Sequence, residues 1–292
     1  MKNINEKLHP YWITGFSDAE SSFSIRIFKD ETRRIGWGIK PIFAIELHNQ
    51  DLFLLKRIQN FFGVGNIYKH RSNSVYSVQS FKDLSLKIIP HFDKYSLLTK
   101  KDKDFFLFKN IVNLLNKKAH FTLEGFHEIL NLRAFMNKGL SAELKNILPS
   151  TISSVKFTTN EFKEINPNWL VGFTDGEGCF YIKPTKFGFT VNMSISQHVR
   201  DIALLGNIAD FLNCGIVEKP CTRSSATFVT YKSKDIYDKI IPFFNNYPLQ
   251  GTKLQNFKYF CEVTNILKDK SKLTEENLKL IKKIKLKMNK TN

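Results

Sequence analysis

Nowhere in these 292 residues is there an apolar run of 18, which excludes a membrane-spanning helix, and the first residues lack the apolar stretch of a signal peptide. A soluble protein is expected. Cysteine is scarce: Cys179, Cys214, Cys221 and Cys261 all fall in the second half, and no two stand in C-x-x-C spacing. They read as buried thiols in a reducing compartment, not as a disulfide framework or a zinc site. Acidic residues are short of basic ones, 27 Asp and Glu against 44 Lys and Arg, for a net charge of +17 and a pI near 9.6. A balance so far from neutral predicts a polyanionic partner held with steep salt dependence; the plainer account is a basic protein whose genome favours Lys, Asn and Ile codons. The hydrophobic share of 42% is ordinary, and the length suits two domains each able to bury a core.

What the chain does have, it has twice. Trp12-Ile13-Thr14-Gly15-Phe16-Ser17-Asp18-Ala19-Glu20 returns as Trp169-Leu170-Val171-Gly172-Phe173-Thr174-Asp175-Gly176-Glu177, 157 residues on. Lys87-Ile88-Ile89-Pro90 returns as Lys239-Ile240-Ile241-Pro242, 152 residues on. The difference of five belongs in loops, where a duplicated protein tolerates length change. The division is 1–147 for the first half, a Ser/Thr-rich linker over 148–165, and 166–292 for the second half. One glutamate closing each copy predicts two half-sites meeting about a pseudo-two-fold axis, suited to a nearly two-fold substrate such as duplex DNA.

Each half reads as helix, two strands, helix, two strands, then helices. In the opening helix Gly15 and Ala19, and in its copy Gly172 and Gly176, lie four apart on one face, which lets two helices approach backbone to backbone. The strand pattern then alternates. Phe23, Ile25 and Ile27 point inward, as do Phe43, Ile45 and Leu47, and in the copy Phe180, Ile182, Val191, Met193 and Ile195. Helices follow over 51–62 and 201–212, then strands at Asn66 to His70, Val75 to Ser80, Ile216 to Lys219 and Thr227 to Lys232, with Asp83 and Asp235 as expected helix caps. The last stretch, Thr274 through Lys287, reads as a capped surface helix. The layout is α+β: two pseudo-symmetric αββαββα repeats, each a four-stranded antiparallel sheet with helices on one face and the other left open as a DNA-binding saddle.

The open faces supply candidate base and phosphate contacts. In the first half these are Ser22, Ser24, Arg26 and Phe28, then Lys40, Ile42, Ala44 and Glu46, then Lys69, Asn73, Val75, Ser77 and Gln79, with Arg33, Arg34 and Arg71 at the strand tips. In the second they are Cys179, Tyr181, Lys183 and Thr185, then Thr190, Asn192, Ser194 and Ser196, then Lys219, Thr227, Val229 and Tyr231, with Lys186 and Arg223 at the tips. Basic, aromatic and small polar side chains mix here, where a merely solvated face usually carries Glu and Lys. Glu20 and Glu177 held close would repel unless a cation lay between them, so a divalent metal is expected, with the carbonyls of Ala19 and Gly176 as further ligands. Mg²⁺ suits such oxygen donors with phosphate and water, and Mn²⁺ or Ca²⁺ would occupy the same place.

The paired segments Gly15-Phe16-Ser17-Asp18-Ala19-Glu20 and Gly172-Phe173-Thr174-Asp175-Gly176-Glu177-Gly178 resemble those of LAGLIDADG homing endonucleases in their monomeric two-repeat form. The likeness covers nearly the whole chain. It departs at Ser21, which stands where the motif ends in glycine. The resemblance implies site-specific cutting of both strands of a long double-stranded DNA site across the minor groove, leaving short 3′ overhangs, with Glu20 and Glu177 as metal ligands. It also implies a Gln and a basic residue near the scissile phosphates, roles that Gln197 and Lys232 match in the second half. The first half has Leu47 and Ser80 there, so activity is expected to be asymmetric, with Glu46 or solvent standing in. The family further implies a monomer, no membrane partner and an organellar, most often mitochondrial, origin in an intron, which the absence of a transit peptide fits. Two other readings stay open: a maturase of the same fold that binds its own intron RNA, and a non-cleaving DNA-binding regulator.

Overall fold

A computed structural model describes residues 7–147, 164–186, 188–219, 224–268 and 274–288. The expected linker, apart from Glu164 and Ile165, lies outside the described residues, as do Cys221 and Arg223. Two compact units emerge. Unit 1 takes residues 7–10 and 20–147, and unit 2 takes residues 11–19 with everything described from 164 onward. The opening helix of the first repeat therefore packs as part of the second unit, a division the linear repeat did not announce.

Unit 1 is built on strands β1 (Ser21–Lys29), β2 (Trp37–His48), β3 (Asn66–Lys69) and β4 (Asn73–Val78), antiparallel in the order β1-β2-β4-β3. Phe23 faces Phe43 across the first pair and Phe43 faces Val78 across the second, so one side of the sheet is a continuous apolar layer. On that layer lie α2 (Leu52–Phe62) and α5 (Lys101–Asn116). Phe23 meets Phe43, Phe92, Phe105 and Phe108 with ring centroids 5.1–5.4 Å apart, the spacing of tilted and edge-on aromatic pairs. β1 is an edge strand, and α6 (Leu123–Ala134) with the turn after it ties that edge down. Arg133 Nε donates to the Ile25 carbonyl at 3.0 Å, and Asn137 Nδ2 to the Phe23 carbonyl at 2.9 Å. Helix α7 (Ala142–Ile147) ends the unit's described part.

Unit 2 repeats the sheet with β5 (Gly178–Thr185), β6 (Gly188–His198), β7 (Ile216–Glu218) and β8 (Ser225–Thr230), in the order β5-β6-β8-β7. Its ring cluster is Phe180, Phe244, Phe257 and Phe260, with Met193 opposite Phe180 where unit 1 has Phe43. Helix α9 (Ile202–Leu212) matches α2, and α12 (Lys253–Lys268) matches α5. Over β5 and α12 lies α13 (Glu275–Met288), which buries Ile281, Ile284 and Met288, with Thr274 Oγ1 accepting from Asn277 N at 3.3 Å as its N-cap.

Several expected boundaries shift. β4 and β8 begin and end two residues earlier than the alternation predicted, and β3 and β7 stop one residue short. Asp83 and Asp235 are not caps. Ser80 caps α3 (Phe81–Asp83), its hydroxyl accepting from Asp83 N at 3.3 Å, and Lys232 holds the matching place before α10 (Ser233–Asp235). A π-helical turn runs into the Ile-Ile-Pro marker in both units, Leu84–Ile88 before α4 (Ile89–Lys94) and Ile236–Ile240 before α11 (Ile241–Asn246). Proline lacks the N–H and clashes with the carbonyl four residues back, so a locally widened turn lets the helix pass through it.

Candidate functional site

Helices α1 (Pro10–Glu20) and α8 (Pro167–Glu177) meet, through residues 11–19 of α1, as neighbours within unit 2. A Cβ on Gly15 would lie 1.9 Å from the Trp169 carbonyl oxygen, and one on Gly172 would lie 2.1 Å from that of Trp12. Only hydrogen fits at either place, which is why both copies carry glycine there. The contact is reciprocal in its polar part as well. Trp12 Nε1 donates to Asp175 Oδ2 at 2.8 Å, and Trp169 Nε1 donates to Asp18 Oδ2 at 2.8 Å. Shifting each residue by the repeat offset converts one bond into the other, so the two helices are related locally by a pseudo-two-fold.

The motif aspartates are thus buried structural acceptors. Asp175 also takes the backbone N–H of Gln250 at 2.8 Å and of Gly251 at 3.0 Å. Burial raises its pKa, and those donors and the Lys253 ammonium pull it back down. Sequence reasoning singled out neither the tryptophans nor the aspartates, although their matched spacing within each motif carried the signal.

Glu177 closes α8, half-exposed, and Glu20 closes α1, also half-exposed. Both stand at helix C-termini, where carbonyl dipoles gather negative charge and a cation is favoured. Lys253, the first residue of α12, occupies that position in unit 2. Its Nζ donates to the Gly176 carbonyl and lies 3.5 Å from the Thr174 carbonyl. Its charge also opposes the upward shift that burial gives the Cys179 thiol, two residues past Glu177. This lysine was missed, and a signal existed: Lys101 stands 152 residues earlier at the start of α5, at the offset of the Ile-Ile-Pro markers.

Lys232, expected as the basic residue of the site, is placed elsewhere. β8 ends at Thr230, and Thr230 faces Met193, which faces Phe180, so Lys232 lies at least two residues beyond the rung that begins at Gly178. It lines a cavity of about 270 Å³ with Cys214, Thr230, Tyr231, Asp235 and Lys239. The alternation that carried β8 through Lys232 was two residues too long. Gln197 lies two residues past Ile195, the partner of Gly178, at the end of β6 nearest the close of α8. Leu47 holds the corresponding place relative to Ser21 and Ile45. The Glu177 carboxylate and the Gly176 carbonyl, which also accepts from Lys253, are oxygen donors of the kind a hard divalent cation such as Mg²⁺ or Ca²⁺ takes.

The sheet faces opposite the helices carry the expected polar rows. In unit 1 Arg26 stands directly across from Lys40, Ser24 across from Ile42 and Ser22 across from Ala44. Like charges on one rung are destabilising without an anion, and the Arg26 guanidinium also lies 5.7 Å from the Phe28 ring centroid. In unit 2 Cys179 pairs with Ser194, Tyr181 with Asn192 and Lys183 with Thr190, the Thr190 hydroxyl reaching Asn192 Oδ1 at 3.2 Å. Thr227 and Ser196 share a hydroxyl contact of 2.9 Å, and Val229 faces Ser194. On the outer strands the register corrects the reading. Asn66 and Tyr68 face Ser77 and Val75 on the open side, whereas Lys69 faces the buried Ser74. Ile216 and Glu218 likewise join the open side of unit 2, and Lys219 lies just past β7. Gln79 follows β4 and donates to Ser77 Oγ at 3.0 Å, and Tyr231 follows β8. Of the tip residues, Arg33 pairs with Asp30 at 2.7 Å, while Arg34, Arg71, Thr185 and Lys186 are exposed.

The LAGLIDADG endonuclease family model matches residues 13–112 and again 170–264. The chain therefore belongs to the LAGLIDADG endonuclease family, in a form with two copies of the family unit. It is 40% identical over 291 residues to a probable intron-encoded endonuclease 2 of Neurospora crassa, covering 95% of this chain but 64% of that relative's length. Among solved structures it is similar to I-SmaMI bound to an uncleaved DNA target in the presence of calcium ions, with a TM-score of 0.92, 36% identity, and 97% and 99% of the two chains covered. It is also similar to the I-SmaMI LAGLIDADG homing endonuclease bound to cleaved DNA, with a TM-score of 0.89, 36% identity, and 97% and 98% covered. Among the described residues no helix is long and apolar enough to cross a membrane.

Proposed function

We propose that this chain is a site-specific endonuclease that hydrolyses both strands of a long, pseudo-palindromic double-stranded DNA site with a divalent metal, leaving short 3′ overhangs. The observation that carries the reading is the reciprocal α1–α8 seam, each of whose helices ends in a glutamate. The open sheet faces lie in the major groove, their side chains reading base edges while Lys and Arg at the tips hold phosphates. Glu20 and Glu177, with the carbonyls of Ala19 and Gly176, hold the metal, which when bound activates water and stabilises the leaving oxygen. Lys253 takes the role first assigned to Lys232. Its ammonium already neutralises the helix end, so a scissile phosphate arriving there meets a fixed positive charge whose attraction grows as negative charge develops. Gln197 orients solvent from the adjoining strand end.

Action as a monomer inside a mitochondrion belongs to the same proposal, supported by the two repeats in one chain and by the intron-encoded origin named for the Neurospora relative. Binding to its own intron RNA draws no separate support. The test is cleavage of a duplex carrying the uninterrupted host sequence, with Mg²⁺. Glu20→Gln and Glu177→Gln should keep binding and lose cutting, and affinity for the duplex should fall by orders of magnitude between low and moderate salt. Duplex that is bound by the wild type and never nicked overturns the endonuclease.

A further inference from the structure

The open face of unit 1 carries a carboxylate that the net charge of the protein does not explain. Glu46 projects from β2 beside Ala44 and across from Val75. Arg26 and Lys40 share a rung at the other end of the face, and Glu46 makes no ion pair among the described residues. It is nonetheless held: Asn73 Nδ2 donates to Glu46 Oε1 at 3.0 Å, which leaves Oε2 as a further acceptor.

Next to DNA such a group is unfavourable except against a donor. An ionised carboxylate only accepts hydrogen bonds, so it is repelled by phosphate, by the O6 and N7 of guanine and by the O4 of thymine. Two major-groove edges offer an amine, cytosine N4 and adenine N6. Adenine sets its N7 acceptor beside that amine, where it opposes the second carboxylate oxygen, whereas cytosine sets a C–H there. Val75 and Ala44 on the adjoining positions carry no side-chain donor that could satisfy the carboxylate in place of a base.

We propose that Glu46 reads a single cytosine in the half-site of unit 1, with Asn73 as its positioning residue. The inference rests on the endonuclease reading, and its test separates the two. A library of duplexes randomised across the target is exposed to wild type, Glu46→Gln, Glu46→Ala and Asn73→Ala, and base frequencies among the cleaved molecules are compared position by position. In the wild type one position should hold cytosine, favoured about ten- to a hundredfold over guanine or thymine. Glu46→Gln should move that position alone to adenine, whose N6 and N7 match an amide. Glu46→Ala should flatten it, and Asn73→Ala should keep cytosine with a smaller preference.

Profiles that do not change with Glu46, or a changed position that is not cytosine in the wild type, overturn the proposal. So does a uniform loss of cutting with every preference intact, which would make Glu46 a stand-in near the chemistry. A wild type that enriches no sequence at all refutes the endonuclease and the proposal with it. Glu46 is exposed, so unchanged thermal melting of its variants excludes a folding defect as the cause.

Discussion

Where unit 1 ties the free edge of β1 by hydrogen bonds from α6 and the turn after it, Arg133 and Asn137 reaching the carbonyls of Ile25 and Phe23, unit 2 lays α13 against β5 and α12 through buried Ile281, Ile284 and Met288. The contrast continues inside. His91 of unit 1 is buried among Phe61, Phe62, Phe92 and Tyr95, and the matching residue of unit 2 is Phe243. Burial pushes His91 down to a pKa of about 3. On the surface, α2 carries Lys56 where α9 carries Gly206, with open space around it. The copies therefore agree where the two opening helices touch and in the phenylalanine that centres each cluster, Phe23 and Phe180, because a change there disturbs many neighbours at once, while Met193 replaces Phe43 beside it. They diverge at edges, at one core histidine and on solvent-facing helix positions, where a change is absorbed locally.

The most damaging way to break the agreement is to add a methyl group at the seam. Gly15→Ala and Gly172→Ala each place a carbon against a backbone carbonyl that cannot move aside alone, and each should destabilise the protein by about 3 kcal/mol, read by chemical denaturation. Equal losses would sharpen the pseudo-two-fold seam, and tolerance at either site would refute the close approach. Next in size is the shell around Glu177. Lys253→Met should cut the cleavage rate by about a hundredfold with binding nearly intact, whereas Lys232→Met should leave the rate within about twofold. The reverse result would return the basic role to Lys232.

Acid should find unit 1 first. Because the folded pKa of His91 lies below its unfolded value of 6.5, the unfolded chain binds the proton more readily. The stability contribution of the neutral ring is complete above about pH 6.5 and is lost as the pH falls toward 3, at about 1.4 kcal/mol per pH unit for the one group. Unfolding free energies of wild type and His91→Phe measured over that range should diverge with this slope, and parallel curves would dismiss the histidine. The smallest effect is favourable. Gly206→Ala in mid-helix should stabilise the protein by up to about 1 kcal/mol, seen as a rise in Tm, since nothing crowds the new carbon.

Much of this was legible in one dimension. The twin motifs, the alternation of Phe23 and Ile25 or Phe180 and Ile182 with polar residues, and the glycine-ended helix before Gly63 each depend on a local period, and each element formed close to where it was expected. Boundaries failed where local signals compete. Ser80 is polar enough to continue the alternation of β4, but its hydroxyl caps the next helix instead, and Lys232 moved with it. The partners of Trp12, Asp175 and Lys253 were not legible, because a hydrogen bond across 163 residues of chain leaves no periodic trace.

By itself, then, the amino-acid order determined that there are two copies, which residues face the core, that the balance of charge calls for a polyanion, and which two glutamates end the repeated helices. These follow from spacing and residue type, which short-range sterics and burial translate directly into structure. Only the tertiary structure decided that the first helix packs with the second unit, that the motif aspartates anchor tryptophans, that Lys253 and not Lys232 stands at the end of α8, and that Asn73 holds Glu46. Each of those is a distance between residues remote in the chain, set by how whole elements pack.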